Sequence, residues 1–256
     1  MYNKLAAKRL KEPFKTMFFG LRDDKSIPFN KSHPHWLAYQ EIVQDFYTKT
    51  QQKGIGKIVN RQAYKVLLDF NLIGLNVVEI GPGTLPHRNY WVGEPELYVS
   101  VDVRDEFHKM AIAKAKCKTL IVNLDFEDQT INLPDNFADI IITFYSLEHV
   151  HKLEKIISEY ERILKPNGYF IGAIPNEGGF FWGLGRLVTT RLAMKKYNIN
   201  YDLIISWEHP NFCDEIRNCL KNKFIEISWK QYPFKFIENY NFNLTSTFVY
   251  KKKVLK

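Results

Sequence analysis

The chain has 256 residues, 45% of them hydrophobic and 15% aromatic, which allows one substantial core with or without an appended lobe and excludes a disordered chain. The longest apolar run, around Ile140 to Phe144, is far too short to span a bilayer, so a transmembrane segment is not expected. The net charge of +8 is concentrated at the ends: residues 1–25 carry seven Lys/Arg against three Asp/Glu, and residues 221–256 carry eight against two. Basic ends either stay solvated or attract a phosphorylated substrate or an anionic membrane face.

Residues 1–60 show no strand-turn-helix rhythm and read as an N-terminal helical extension. Leu5, Leu10, Phe14, Met17, Phe18, Phe19 and Leu21 alternate with Lys4, Lys8, Arg9, Lys11 and Lys15, the pattern of a basic amphipathic helix ending in a turn at Gly20. The segment lacks an apolar signal core, so export is not expected. Cys117, Cys213 and Cys219 show no metal-like pairing and fit reduced thiols in a cytoplasm. His33-Pro34-His35 has no third ligand nearby and reads as a capped loop before a helix over 37–48. A second helix is expected over 59–70.

Val77-Val78-Glu79-Ile80-Gly81-Pro82-Gly83-Thr84 organises the rest of the chain. Val77, Val78 and Ile80 suit a strand buried on both faces. Glu79 is an acid inside that run and needs a partner. Gly81 and Gly83 let a ligand approach the backbone, with Pro82 stiffening the turn. Leu97 to Val101 then reads as strand two, ending in Asp102. An acid at that tip can accept hydrogen bonds from ribose hydroxyls. A helix is expected over 106–116 and strand three over 119–123, running into Asp125-Phe126. The turn at 133–139 launches strand four, 140–144, followed by Tyr145-Ser146-Leu147-Glu148-His149-Val150. Leu153, Ile156, Ile157, Tyr160, Ile163 and Leu164 mark an amphipathic helix, stopped by Lys165-Pro166-Asn167-Gly168 before strand five at 169–174. Strand and helix in alternation give a parallel, doubly wound α/β sheet.

Residues 61–176 therefore read as the core. Residues 177–210 read as a lid or substrate-binding insertion, too rich in glycine for a core helix and too apolar for a plain loop. Residues 211–256 return to a helix and two closing strands, 224–231 and 245–251.

These landmarks, in this order and spacing, resemble the class I S-adenosylmethionine-dependent methyltransferases from about Asn76 to Asn176. The resemblance implies a seven-stranded Rossmann-like sheet with one antiparallel strand, and S-adenosylmethionine as cofactor. It implies that Gly81, Pro82 and Gly83 admit the methionine part, with Glu79 orienting its amino group. Asp102, with Val103 beside it, would take the ribose. Asp125 would accept from the adenine amino group, with Phe126 beside the ring, and Phe144 and Tyr145 would line the methionine side. The closest competitor, a nicotinamide or flavin enzyme, needs a third glycine opening a helix, and that place holds Pro86.

Methyl transfer from a sulfonium requires alignment of the nucleophile, and a hydroxyl acceptor also benefits from a base. The loop after strand four lacks the Asn/Asp-Pro-Pro-aromatic pattern of many amino-group methyltransferases, which favours oxygen. His149 and His209 are the base candidates. Packing at a helix start is the alternative for His149, and a turn for His209. Glu148-His149 resembles part of a metal-binding Glu-x-x-Glu-His pattern, but its first Glu is Tyr145 here, so no metal is expected. The lead expectation is O-methylation of a small hydroxylated metabolite, such as a nucleotide-linked sugar for a bacterial surface polysaccharide, with Arg186 or Arg191 holding its diphosphate. A membrane-peripheral lipid or quinone methyltransferase is the second reading and a nucleic-acid methyltransferase the third, with nucleic acid not expected as a partner. The oligomeric state is left open.

Overall fold

The computed structural model describes residues 4–22, 28–50, 54–124 and 130–253. Seven strands form one sheet: β1 (Asn76–Ile80), β2 (Leu97–Asp102), β3 (Thr119–Asn123), β4 (Ala138–Phe144), β5 (Leu164–Pro175), β6 (Phe224–Tyr232) and β7 (Thr245–Lys252). Their spatial order is β3-β2-β1-β4-β5-β7-β6. The first five pair in parallel, and β7 runs antiparallel to both β5 and β6. This is the Rossmann-like methyltransferase sheet that the landmark order implied. The reversal of strand order falls at β1 and β4, whose C-terminal ends therefore flank the crevice of the sheet.

Both faces of the sheet are covered, which is why its central strands are apolar without alternation. On one face Val78, Ile80, Val99 and Val101 join Ile156, Ile157 and Tyr160 of α5 (Leu153–Ile163) and Ile216 and Leu220 of α9 (Cys213–Lys223). On the other, Val77, Tyr98, Ile140 and Ile142 join Ala63 and Tyr64 of α3 (Gly54–Tyr64) and Ala111 and Ala115 of α4 (Asp105–Ala115).

Two expectations are corrected by the fold. The N-terminal segment is not a free amphipathic helix. It forms a 3-10 turn at Ala6–Lys8 and the short α1 (Phe14–Phe19), and Leu5, Ala7 and Phe19 are buried in the main core. The segment 177–210 is not too glycine-rich for helix. It forms α6 (Phe180–Val188), α7 (Thr190–Lys195) and α8 (Tyr201–Glu208). Gly183 sits where α6 crosses α1, and a Cβ there would run into the Phe19 ring, so the glycine serves close helix packing. The helix α2 (Pro34–Thr50) packs on α8 through Tyr39 and Val43, forming a smaller core with Ile204, Ile205 and Trp207.

Candidate functional site

The glycine turn leaves the end of β1 with Gly81 at φ +66° and Gly83 at φ +53°, both in the left-handed region. Beside it, Tyr145 at the end of β4 also takes a positive φ of 57°, unusual for a bulky residue and a conformation held by its surroundings. Its N–H donates to Ala173 O at 2.8 Å, and its hydroxyl meets Thr245 Oγ1 at 3.2 Å. The reversed backbone brings Ser146 Oγ to the Ile80 carbonyl at 3.1 Å, so the β1 turn and the β4 loop are tied together. A side chain on Gly81 would strike Ser146 Oγ, whereas one on Gly83 would meet no protein atom within 4 Å. The space over Gly83 is thus open to a ligand, and Pro82 lies buried beneath it.

Glu79 is fully buried, on the sheet face opposite to Val78 and Ile80. Tyr98 donates to its Oε2 at 2.6 Å, and His87 Nε2 lies 2.7 Å from its Oε1. Its Oε2 thus braces β1 against β2, while its Oε1 stands close to His87 without a hydrogen bond to a described residue. His87 in turn touches Phe144 and Tyr64, ring centroids 4.9 and 5.3 Å away. Phe144 and Tyr145 close one side of this cluster.

Asp102 ends β2, 7% exposed. Its Oδ1 accepts from the N–H of Val103 at 2.8 Å and of Arg104 at 3.1 Å. Its Oδ2 makes no hydrogen bond with a described residue. Burial raises its carboxyl above the ordinary value, while Arg104 and the two N–H bonds pull the other way. Asp102 is thus fixed by one oxygen and free at the other. Val103 is half-exposed beside it. Asp125 and Phe126 lie outside the described residues.

The two histidines come together at the same sheet edge. His149 lies in a 3-10 turn at Leu147–His149, and His209 caps α8. Their rings meet edge to face with centroids 4.4 Å apart. His149 Nδ1 bonds the Glu208 carbonyl at 2.9 Å. Burial, and then the neighbouring His209, hold His149 well below its ordinary pKa, so it is neutral at neutral pH. His209 Nδ1 bonds Glu177 Oε1, and its Nε2 has no hydrogen-bond partner among the described residues. Burial works against charge on His209, but the carboxylates of Glu177, Glu208 and Glu148 outweigh it and raise its pKa. Glu148 is 2% exposed, and burial pushes its carboxyl up to about 8.

Sequence reasoning missed the groups that hold this pair. Glu177 accepts from Arg22 Nη2 at 2.5 Å as well as from His209, and Arg22 lies over the Phe212 ring at 4.9 Å. Glu208 Oε2 accepts from the Tyr39 hydroxyl at 2.5 Å. Glu177 follows β5 by two residues, so its place at the carboxyl edge was open to inference. Arg22 and Tyr39 carried no such signal. Trp182 lies 6.3 Å from His209, and Trp207, which precedes Glu208, packs edge-on to both Trp36 and Phe29.

Arg186 and Arg191 do not face this crevice as diphosphate ligands. Arg186 is buried and donates to the carbonyls of Phe18 and Met17 and to Asp202, and Arg191 makes a two-pronged pair with Asp202. Both guanidinium groups are used to join α6, α7 and α8 to α1.

Residues 78–172 match the family model described as a methyltransferase domain. No curated protein sequence matches the chain. Among solved structures, the chain is similar to the CurJ carbon methyltransferase (TM-score 0.58, 17% identity, 85% of this chain and 61% of that one). It is similar to the N-methyltransferase NodS from Bradyrhizobium japonicum WM9, solved with S-adenosyl-L-homocysteine (TM-score 0.57, 11% identity, 85% and 99%). It is also similar to an S-adenosylmethionine-dependent methyltransferase from Mesorhizobium loti (TM-score 0.52, 14% identity, 76% and 98%). The chain spans 61% of the length of the CurJ structure. Residues 78–172 thus resemble a methyltransferase domain, and the likeness to these structures shows the Rossmann-like methyltransferase fold.

Proposed function

We propose that the chain uses S-adenosylmethionine to methylate an oxygen of a small hydroxylated acceptor. The residues fit the cofactor: Gly83 leaves space that a Cβ would fill, and Asp102 keeps one carboxylate oxygen for the ribose hydroxyls. Gly81, Pro82 and Gly83 would lie along the methionine part, with Phe144 and Tyr145 at its side, Val103 beside the ribose, and Asp125 and Phe126 at the adenine. Glu79 would act on the amino group through the turn it braces, with the Tyr98 hydroxyl held on its Oε2 and His87 close to its Oε1. When bound, the cofactor supplies the activated methyl group. The protein aligns the acceptor and manages its proton.

The observation that carries the oxygen reading is the His149–His209 ring pair beside the loop that follows β4. An alcohol holds its proton too tightly to lose it unaided at neutral pH, whereas a neutral imidazole nitrogen accepts it as the methyl moves. Trp182, partly exposed beside His209, gives flat apolar surface for a sugar or a base, so a sugar, nucleotide-linked or free, is the favoured substrate class. Without Arg186 and Arg191, a diphosphate would have to find other donors. The test is a panel of hydroxylated acceptors, nucleotide sugars included, assayed for S-adenosylhomocysteine release, with the methylated atom located by NMR. O-methyl products are expected. Products methylated only on nitrogen or carbon overturn the reading.

A second reading, a lipid-borne acceptor met at a membrane face, is favoured by one surface. Phe14, Phe180, Phe181, Leu184, Val188, Phe236 and Phe242 are exposed. Several are linked through Phe18–Phe180, Phe180–Phe181 and Phe181–Phe242 ring contacts. Exposed Lys11 and Lys235 stand beside them in sequence. Such an apolar patch with basic neighbours suits an anionic bilayer. Because the N-terminal segment is part of the core, the test is Phe181→Ser with Phe236→Ser and not truncation. Loss of co-sedimentation with vesicles containing phosphatidylglycerol supports this reading, and absence of wild-type binding removes it.

A further inference from the structure

We infer that His149, Glu208 and His209 form a binding site for a divalent transition-metal cation. Each of the three offers one ligand atom, and these atoms all lie within 4.8 Å of one another. Zinc bonds imidazole nitrogen and carboxylate oxygen at about 2.0–2.2 Å, so ligands around one ion stand roughly 3.4 Å apart in a tetrahedron. Small side-chain rotations close that gap.

Two independent features point to a cation and not to a chance meeting of polar groups. The first is the outer support of the ligands. Histidines that bind metals usually donate their second ring N–H to a carboxylate or a backbone carbonyl, which fixes the tautomer and aims the other nitrogen at the ion. Both histidines do this. His209 donates Nδ1–H to Glu177, itself held by Arg22, and His149 donates Nδ1–H to the Glu208 carbonyl. Glu208 is oriented by the Tyr39 hydroxyl at 2.5 Å. The second is an orphan. His209 is 8% exposed, and its Nε2 has no hydrogen-bond partner among the described residues. A buried ring nitrogen left unpaired is costly, and a cation satisfies it.

Two imidazoles and one carboxylate suit zinc or iron(II) better than magnesium or calcium, which prefer all-oxygen shells. Three protein ligands also leave coordination positions open. The sequence offers no such set. Glu148-His149 has Tyr145 where an oxygen ligand was sought, and the carboxylate comes instead from Glu208 on a different helix. The inference rests on the proposal that the His149–His209 pair activates the acceptor, and it names what the pair holds. His149, Glu208 and His209 would hold the ion, which would supply charge withdrawal from an acceptor hydroxyl oxygen, so that its proton would leave to solvent more readily instead of to an imidazole.

The experiment reads binding without turnover. The full chain is treated with EDTA, dialysed, and titrated with Co²⁺ and Zn²⁺. Co²⁺ is followed by its visible ligand-field bands, and Zn²⁺ by calorimetry and elemental analysis. One equivalent of each is expected. His149→Ala, His209→Ala and Glu208→Gln should abolish that equivalent. Glu177→Gln, which leaves the three ligands in place, should weaken binding by about 10–100-fold. Retained binding of S-adenosylhomocysteine shows that each variant is folded. If a variant fails that control, X-ray absorption at the zinc edge of the loaded wild type decides, with two imidazoles and an oxygen ligand expected. No bound equivalent, affinity unchanged in the ligand variants, or a zinc edge dominated by other ligands overturns the inference. None of these results bears on whether the product is an O-methyl compound.

Discussion

Ser146 Oγ occupies the space that a Cβ on Gly81 would need: the two residues, on β4's loop and β1's turn, approach so closely that only glycine fits. The same serine donates to the Ile80 carbonyl, so the glycine turn is fastened to the loop that carries His149. Gly81→Ala adds a steric clash to a left-handed φ. It should lower both thermal stability and S-adenosylhomocysteine affinity. Gly83→Ala meets no protein atom, so its clash is with the ligand alone, beyond roughly 1 kcal/mol for the left-handed conformation. It should cost affinity far more than stability. Paired melting and calorimetry measurements check this, and equal affinity losses without a stability difference would refute it.

Asp102 is the second cofactor test. Asp102→Ala removes a charged acceptor whose hydrogen bonds are worth about 1.5–3 kcal/mol each, so S-adenosylhomocysteine should bind about 10–100-fold more weakly. The fold should persist, as read by circular dichroism. Unchanged affinity would remove Asp102 from the site.

The His149–His209 pair gives a kinetic prediction once an acceptor is found. His149→Ala and His209→Ala should each lower turnover by about 10²–10⁴ while cofactor binding survives. Turnover within a few-fold of wild type for both would mean that neither imidazole, free or metal-bound, activates the acceptor.

Glu79 is predicted to be a structural acid. Tyr98→Phe deletes one of its donors without changing shape and leaves a buried carboxylate oxygen unsatisfied, at a cost of about 1–3 kcal/mol. Denaturant unfolding should show that loss. A neutral result would mean that the Tyr98 bond does not stabilise the fold.

Acid stability has a specific contributor. Hydrogen bonds from Arg217 hold Glu226 below its ordinary 4.5, against partial burial. A lowered carboxyl stabilises the fold above its unfolded pKa, and that contribution is lost as pH falls from about 4.5 through the folded value. Glu226→Gln should therefore reduce the fall in stability across that acid window and leave the slope near pH 7 unchanged. Parallel slopes for wild type and variant below pH 4.5 would show that the pair is solvent-screened and idle.

The sheet was legible in the sequence because its signals are local. Val77 to Ile80, Leu97 to Val101 and Ile140 to Phe144 are apolar runs closed by turn residues, and each is a strand. Asp102 was legible for the same reason, since an acid at the end of such a run has one place to be. The segment 177–210 was misread because glycine normally weakens a helix, and only the Phe19 ring beneath Gly183 shows why one is used there. Arg186 looked like a phosphate ligand because a sequence shows a charge without its partners, Asp202 and the α1 carbonyls. By itself the sequence determined the succession of strands, the glycine turn and the acid at the β2 tip, all set by neighbours along the chain. Only the tertiary structure decided that Arg22, Glu177, His209, Glu208 and His149 form one buried cluster. Those contacts join the N-terminal segment, the end of β5, α8 and the β4 loop, and long-range burial of polar groups leaves no periodic trace in the sequence.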